Sequence, residues 1–193
     1  MVLTYHSDLT LPPSRFHRLV EQVVKAGNHA AVRLADAVVT NTRDFAEHSP
    51  FLSQYAEKVH AIFPPVQITP PTAEAVRQFR AKFNLPESGP LIGIVARLSA
   101  EKGFEYLLQA LPLILAQFPH ALILHAGPRE PVGEAAYAAR LAPLLAQFAG
   151  RYRHLGILSD ADLAAFFSIC DVHVLPSVNN TESFGMVQIE AAL

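Results

Sequence analysis

Two glutamates near the C-terminus stand on either side of an apparent strand-to-helix turn. In the run Pro176-Ser177-Val178-Asn179-Asn180-Thr181-Glu182-Ser183-Phe184-Gly185-Met186-Val187-Gln188-Ile189-Glu190-Ala191, Glu182 precedes the turn at Phe184-Gly185 and Glu190 lies within the helix expected after it. Carboxylates accept hydrogen bonds from hydroxyls, and backbone N–H groups of Phe184, Gly185 and Met186 at a helix start are free to hold oxygens. The combination suits a polyhydroxylated, phosphorylated ligand. A hydrolytic acid and base pair is the competing chemistry, and two solvated surface acids the plain alternative.

A second constellation is Ala96-Arg97-Leu98-Ser99-Ala100-Glu101-Lys102-Gly103, between an expected strand and an expected helix. Arg97 offers a planar fork of donors and Lys102 a compact charge, so together they can neutralise a departing diphosphate. Cations at a helix N-terminus oppose its dipole, which favours a bound anion slightly; two solvated charges at a helix start are the plain alternative. His6 follows an N-terminal strand with Asp8 two residues on; an imidazole there can donate to a substrate oxygen or act as a base, or be structural. His125 and His173 fall inside strands, where a satisfied core or rim histidine is expected, and their spacing matches no metal signature. Gly127-Pro128-Arg129-Glu130 has the place of a loop over a ligand, but matches neither the dinucleotide fingerprint nor the Gly-Lys-Ser/Thr phosphate loop. The single Cys170 sits in an apolar context, Phe166-Phe167-Ser168-Ile169-Cys170, and is read as an inert thiol in a reducing compartment.

The elements that must position these groups alternate along the chain. Helix over 15–34, strand over 36–41, a helical region over 42–55 broken by Pro50, and a short strand over 58–62 precede Phe63-Pro64-Pro65-Val66-Gln67-Ile68-Thr69-Pro70-Pro71, where four prolines in nine residues mark an interdomain connection. Thr72 then caps a helix to about Phe83. The apolar run 91–96 reads as a strand buried on both faces of a parallel sheet. Helix 103–117, strand 121–126, helix 134–148, a short strand at His154-Leu155, a helix capped by Ser159 and a strand over 172–175 follow. The fold class is α/β, with ligand chemistry expected at the strand C-terminal ends.

Composition narrows the function classes. A net charge of -2 and 17% charged residues leave no basic footprint for nucleic acid. The apolar segment 106–126 approaches the length of a bilayer span, yet Phe118-Pro119-His120 splits it into helix, turn and strand. Residues 2–5 read as a strand with no lead-in and 190–193 stop inside a helix, so both ends read as cut.

The order Gly93-Ile94-Val95-Ala96-Arg97 to Glu101-Lys102-Gly103, then His125-Ala126-Gly127, then Pro176-Ser177 to Glu182-Ser183-Phe184-Gly185 to Glu190-Ala191 closely resembles the retaining glycosyltransferases of family 4, the group 1 family. Tyr5-His6-Ser7-Asp8 and the segment 34–42 are similar to its N-terminal domain. The resemblance implies a GT-B architecture truncated at both ends. Residues 1–65 would be a partial N-terminal Rossmann-like domain on the acceptor side, and 66–193 most of a C-terminal Rossmann-like domain binding the nucleotide sugar. It implies transfer of a hexose or related sugar to an acceptor hydroxyl with retention of configuration, without metal or other cofactor. Catalytic roles then fall to His6, Arg97, Lys102 and Glu182. The donor would be held by Arg97 and Lys102 at the diphosphate, Glu182 at sugar hydroxyls beside Phe184 and Gly185, and Glu190 at the ribose. The acceptor is a carbohydrate, a lipid or a small molecule; the location is cytoplasmic, with peripheral contact at the inner membrane face left open by lipid-using relatives. Gly127-Pro128-Arg129 departs from the commoner two-glycine form of its loop. A non-catalytic nucleotide-sugar-binding fragment and a nucleotide-sugar epimerase are the alternatives; a glycoside hydrolase does not explain Arg97 and Lys102.

Overall fold

The computed structural model describes residues 1–9, 11, 14–129, 133–179 and 182–193. The chain divides into two compact units: Met1–Pro65 with Asn179–Gly185, and Val66–Val178 with Met186–Leu193. The division at 65/66 falls within the proline-rich segment. Asn179–Gly185, read from sequence as part of the second domain, groups with the first. Its anchors are side chains distant in sequence: Asn41 Nδ2 donates to Ser183 Oγ (2.8 Å), Thr42 Oγ1 donates to the Ser183 carbonyl (3.1 Å), and the Phe184 ring packs on Phe63.

The first unit holds a parallel sheet in the order β1 (Val2–Thr4), β2 (Ala37–Thr40), β3 (Val59–Ala61). Helix α1 (Arg15–Leu34) starts at Ser14, whose hydroxyl accepts from His17 N–H. It ends at Lys58, whose Nζ donates to the carbonyls of Val32, Arg33 and Ala35, a cation placed on the negative pole of the helix. Gly27 does not interrupt it. Helix α2 (Arg43–His48) is capped by Thr42, and a 3-10 segment (Leu52–Lys58) leads into β3. Val32, Val38, Phe45 and Leu52 close the core.

The second unit is a four-stranded parallel sheet, β6-β5-β4-β7, with β4 Leu91–Val95, β5 Leu122–Ala126, β6 Tyr152–Gly156 and β7 Val172–His173. The side-chain period of two explains the apolar runs in β4 and β5. Leu91, Leu122 and Leu124 meet α3 (Ala73–Lys82) and α6 (Asp160–Ile169) through Phe79 and Phe166, whereas Ile92, Ile94 and Ile123 meet α4 (Phe104–Gln117) and α5 (Ala135–Gln147) through Leu108, Leu111 and Leu141. Helix α7 (Met186–Ala192) follows the two-glutamate turn. Strand β6 begins two residues earlier than the sequence suggests, because its polar residues find partners: Arg153 Nη1 donates to the Phe83 and Asn84 carbonyls, and His154 bonds the Gly127 carbonyl. Strand β7 pairs over only two residues before the chain leaves toward the Pro176 loop, although Val174 N–H still donates to the Gly93 carbonyl. Among the described residues no helix is long and apolar enough to cross a membrane.

Candidate functional site

Strand β4 ends at Val95, and the next eight residues form a braced turn. Ala96 N–H donates to the Ala126 carbonyl (3.0 Å) and Leu98 N–H to the Pro128 carbonyl (2.9 Å), extending the ladder past the strand ends. The Ala100–Lys102 3-10 turn and Gly103, at φ +62°, then deliver the chain into α4. A Cβ at Gly103 would stand 2.2 Å from the Pro176 carbonyl oxygen, so only glycine permits the Pro176–Val178 loop to lie this close. Val178 N–H completes the contact by donating to the Glu101 carbonyl (2.9 Å). The Lys102 backbone is therefore fixed between the end of β4 and the loop after β7.

Arg97 is exposed, and its Nη2 lies 2.6 Å from Glu101 Oε1. The sequence reading treats it as a clamp on a ligand or a solvated charge; the structure gives it an i,i+4 carboxylate. Such an exposed pair is worth about 0–1 kcal/mol, so a diphosphate carrying more charge can displace it.

Behind this turn sits His125, fully buried. Its Nε2 lies 2.8 Å from the Ala96 carbonyl, which can only accept; Nε2 therefore carries the proton and Nδ1 accepts from the Tyr152 hydroxyl at 2.5 Å. Burial lowers its pKa from 6.5 to about 4, only partly opposed by the Ala96 bond. His154 packs on the His125 ring and bonds the Gly127 carbonyl at 2.7 Å. The pair thus ties down the backbone at Ala96, where the turn begins, and at Gly127, where the loop after β5 begins. Gly127 is itself obligatory here, since at φ +135° its Cβ would fall 2.1 Å from the Ala96 oxygen. The sequence marks His125 as a satisfied core histidine, which it is; the partnership of Tyr152 and His154 depends on strand register, which pairs His125 with His154.

His173 departs from that expectation. Both its ring nitrogens are buried without a hydrogen-bond partner among the described residues, its pKa is lowered by burial, and the ring packs edge-on against Phe167. Cys170 is an inert thiol, its pKa pushed up to about 12 by burial first and the neighbouring Asp171 second.

At the two-glutamate turn one expectation is corrected. The Gly185 N–H is not free: Glu182 Oε1 accepts it at 3.2 Å, the carboxylate reaching forward three residues to the N–H just before α7 begins. Glu182 thus braces its own turn, and Gly185 is buried at φ +66°. Asn180 and Thr181, quoted in the same motif, lie outside the described residues, as does Glu130 of the Gly127–Glu130 loop. Glu190, on α7, lines a cavity of about 500 Å³ with Gln67, Thr69, Asp160 and Leu163. Arg97 and Lys102 are not part of that lining.

In the first unit His6 is exposed at the end of β1. Asp8 turns instead to Tyr5 and Ser49, both hydroxyls donating to Oδ1 at 2.9 and 3.0 Å, and burial together with Asp8 raises the Tyr5 pKa. His6, Glu182, Phe184 and Gly185 belong to the first unit, Arg97, Lys102 and Glu190 to the second. Among the described residues no group of three or more His, Cys, Asp or Glu side chains could hold a metal ion.

The description "Glycosyl transferases group 1" fits residues 75–192, which run from α3 through the braced turn to the end of α7. A 2-deoxystreptamine glucosyltransferase of Streptomyces kanamyceticus is 30% identical over 94% of this chain and 46% of its own length. A D-inositol 3-phosphate glycosyltransferase of Jonesia denitrificans is 32% identical over 86% of this chain and 40% of its own. The chain thus spans less than half the length of these curated relatives. Among solved structures, sucrose-phosphate synthase from Thermosynechococcus elongatus aligns with a TM-score of 0.74 and 27% identity over 98% of this chain and 47% of that one. HepE of Anabaena, in complex with UDP, aligns with a TM-score of 0.72 and 25% identity, covering 98% and 50%. The parallel α/β architecture is of the GT-B type and corresponds to part of those larger folds. With the family match covering the braced turn, the loops tied to it and the two-glutamate helix, the chain belongs to the group 1 glycosyltransferases.

Proposed function

We propose that this chain is the donor-binding portion, with part of the acceptor side, of a retaining family 4 glycosyltransferase that moves a hexose or related sugar from a nucleoside diphosphate to an acceptor hydroxyl. The observation that carries the reading is the turn past the end of β4 that bears both Arg97 and Lys102, its backbone locked by the Gly103 approach to Pro176. Two cations on a preorganised backbone suit a diphosphate, whose charge increases as the bond to the sugar breaks. HepE's complex with UDP supports a uridine nucleotide as the first donor to try.

In this reading the bond from the anomeric carbon to the diphosphate oxygen breaks and a bond to the acceptor oxygen forms on the same face. The acceptor's proton passes to the leaving diphosphate, so no separate protein base is required. Arg97 and Lys102 stabilise the leaving group, Glu182 and the backbone beside Phe184 and Gly185 orient sugar hydroxyls, Glu190 holds the ribose, and His6 donates to the reacting sugar. The two cations supply the charge stabilisation, and the reaction uses no resident metal or cofactor. The acceptor is a polyhydroxylated small molecule, carbohydrate or lipid headgroup met in the cytoplasm or at the inner membrane face. Residues 1–65 present it.

Isothermal titration against nucleoside diphosphates and their sugars, with Lys102→Ala as control, tests the donor site. Selective binding weakened in the control supports it; no binding by a folded sample refutes it. Product anomer determination by NMR with the longest active form tests retention, and an inverted product refutes it. Because the chain covers less than half of its relatives, donor binding without transfer is the second reading; epimerised donor in the absence of any acceptor would instead point to an epimerase.

A further inference from the structure

The second unit has a cavity of about 440 Å³ at the opposite end of its sheet, where β5 and β6 begin. Five-residue strands put this end roughly 15 Å from the Arg97 turn. Ser88, His120, Arg151 and Arg153 line it, and no carboxylate does among the described residues. Arg153 has a structural role. Its Nη1 donates to the Phe83 and Asn84 carbonyls at 2.8 and 2.6 Å, closing the C-terminus of α3 where Asn84 takes a φ of +48°. Those bonds also fix the guanidinium plane beside the cavity. Arg151 has no comparable role, since it is half-buried and no hydrogen bond or ion pair engages its side chain among the described residues. A partly desolvated cation next to a second fixed cation raises the energy of the empty site, and an anion relieves it.

We infer that this cavity is a second anion site, distinct from the donor turn, which takes a phosphomonoester dianion between Arg151 and Arg153, with His120 and Ser88 completing its donors. A planar guanidinium with free N–H groups matches two phosphate oxygens. The cavity is larger than a bare phosphate, leaving room for a small organic group. The chain is acidic overall, so the site is a local concentration of positive charge rather than part of a basic surface, which favours a small anion over a polyanion.

The test is titration of the full 193-residue chain with inorganic phosphate and, separately, with glucose 6-phosphate at constant ionic strength, using parent, Arg151→Gln and Lys102→Ala. Binding that falls about tenfold or more in Arg151→Gln and persists in Lys102→Ala is expected. Tighter glucose 6-phosphate marks an organic phosphate as the natural ligand; tighter inorganic phosphate marks the free ion. No binding of either probe, undiminished binding in Arg151→Gln, or loss in Lys102→Ala alone overturns the site. Circular dichroism checks folding, and should Arg151→Gln not fold, His120→Ala, on an exposed residue, replaces it with an expected loss of about twofold. UDP affinity of Arg151→Gln stays within twofold of the parent, so failure here is separable from failure of the donor assignment.

Discussion

Gly103→Ala isolates what a single methyl group does to the donor turn. At φ +62° and ψ 32° any L side chain is in the left-handed region, which costs roughly 1–2 kcal/mol. The added Cβ would also meet the Pro176 carbonyl oxygen at 2.2 Å and Val178 Cγ1 at 2.9 Å. Backbone cannot rotate away as a flexible side chain would, so the 176–178 loop or the start of α4 must move by about 1 Å, an overpacking cost of about 1–3 kcal/mol. The expected total is about 3 kcal/mol, or a fall of about 6–12 °C in the melting temperature of a chain this size. Gly27→Ala is the matched control: among the described residues nothing lies within 4 Å of its Cβ and the residue is in the interior of α1, so it should gain about 0.5–1 kcal/mol. Urea titration followed by circular dichroism measures both, and because the glycines belong to different units, two transitions are fitted where two are seen. Nucleoside diphosphate affinity should fall with Gly103→Ala, since Lys102 adjoins the displaced backbone, and be unchanged by Gly27→Ala. A Gly103→Ala protein within about 0.5 kcal/mol of the parent with full affinity would refute the claim that this close approach builds the site.

Three further outcomes are expected. His125 has an unfolded value near 6.5 and a folded value of about 4; between these the unfolded chain binds more protons, so stability is full above pH 6.5 and falls by about 3 kcal/mol as pH drops toward 4. Urea midpoints from pH 7 to 4 test this, and His125→Gln should flatten the fall. Glu101→Gln releases Arg97 and removes a like charge from the anion's neighbourhood, so titration should show nucleoside diphosphate affinity rising a few-fold, where Lys102→Ala lowers it about tenfold. Thr42→Val removes both the α2 cap and the donor to Ser183, at a cost of about 1–2 kcal/mol in urea denaturation.

The elements were legible because their signals are local. Thr72 and Ser159 cap the helices they begin, the β-branched and leucine run at 91–95 makes a central strand, and Phe118-Pro119-His120 breaks a segment that composition alone would send toward a membrane. Arg97, Lys102, Glu182 and Glu190 were picked out by type and spacing, since anion and hydroxyl recognition demand those groups beside strand ends and helix starts. What those groups touch was not local. Glu101 takes Arg97, and Glu182 closes on Gly185, in competition with the ligand contacts expected of both.

By itself the sequence determined the order of strands and helices, the proline break and the family, because each is written in periodicity, capping residues or contiguous motifs. Only the tertiary structure decided that the Ser183 turn belongs with Asn41 and Thr42, more than a hundred residues away. The tautomer of His125, the need for glycine at 103, and the exposure of Arg151 to a cavity without a carboxylate among the described residues were decided there too. Each depends on strand register or loop approach, set by burial of the whole sheet, and no window along the chain contains both partners.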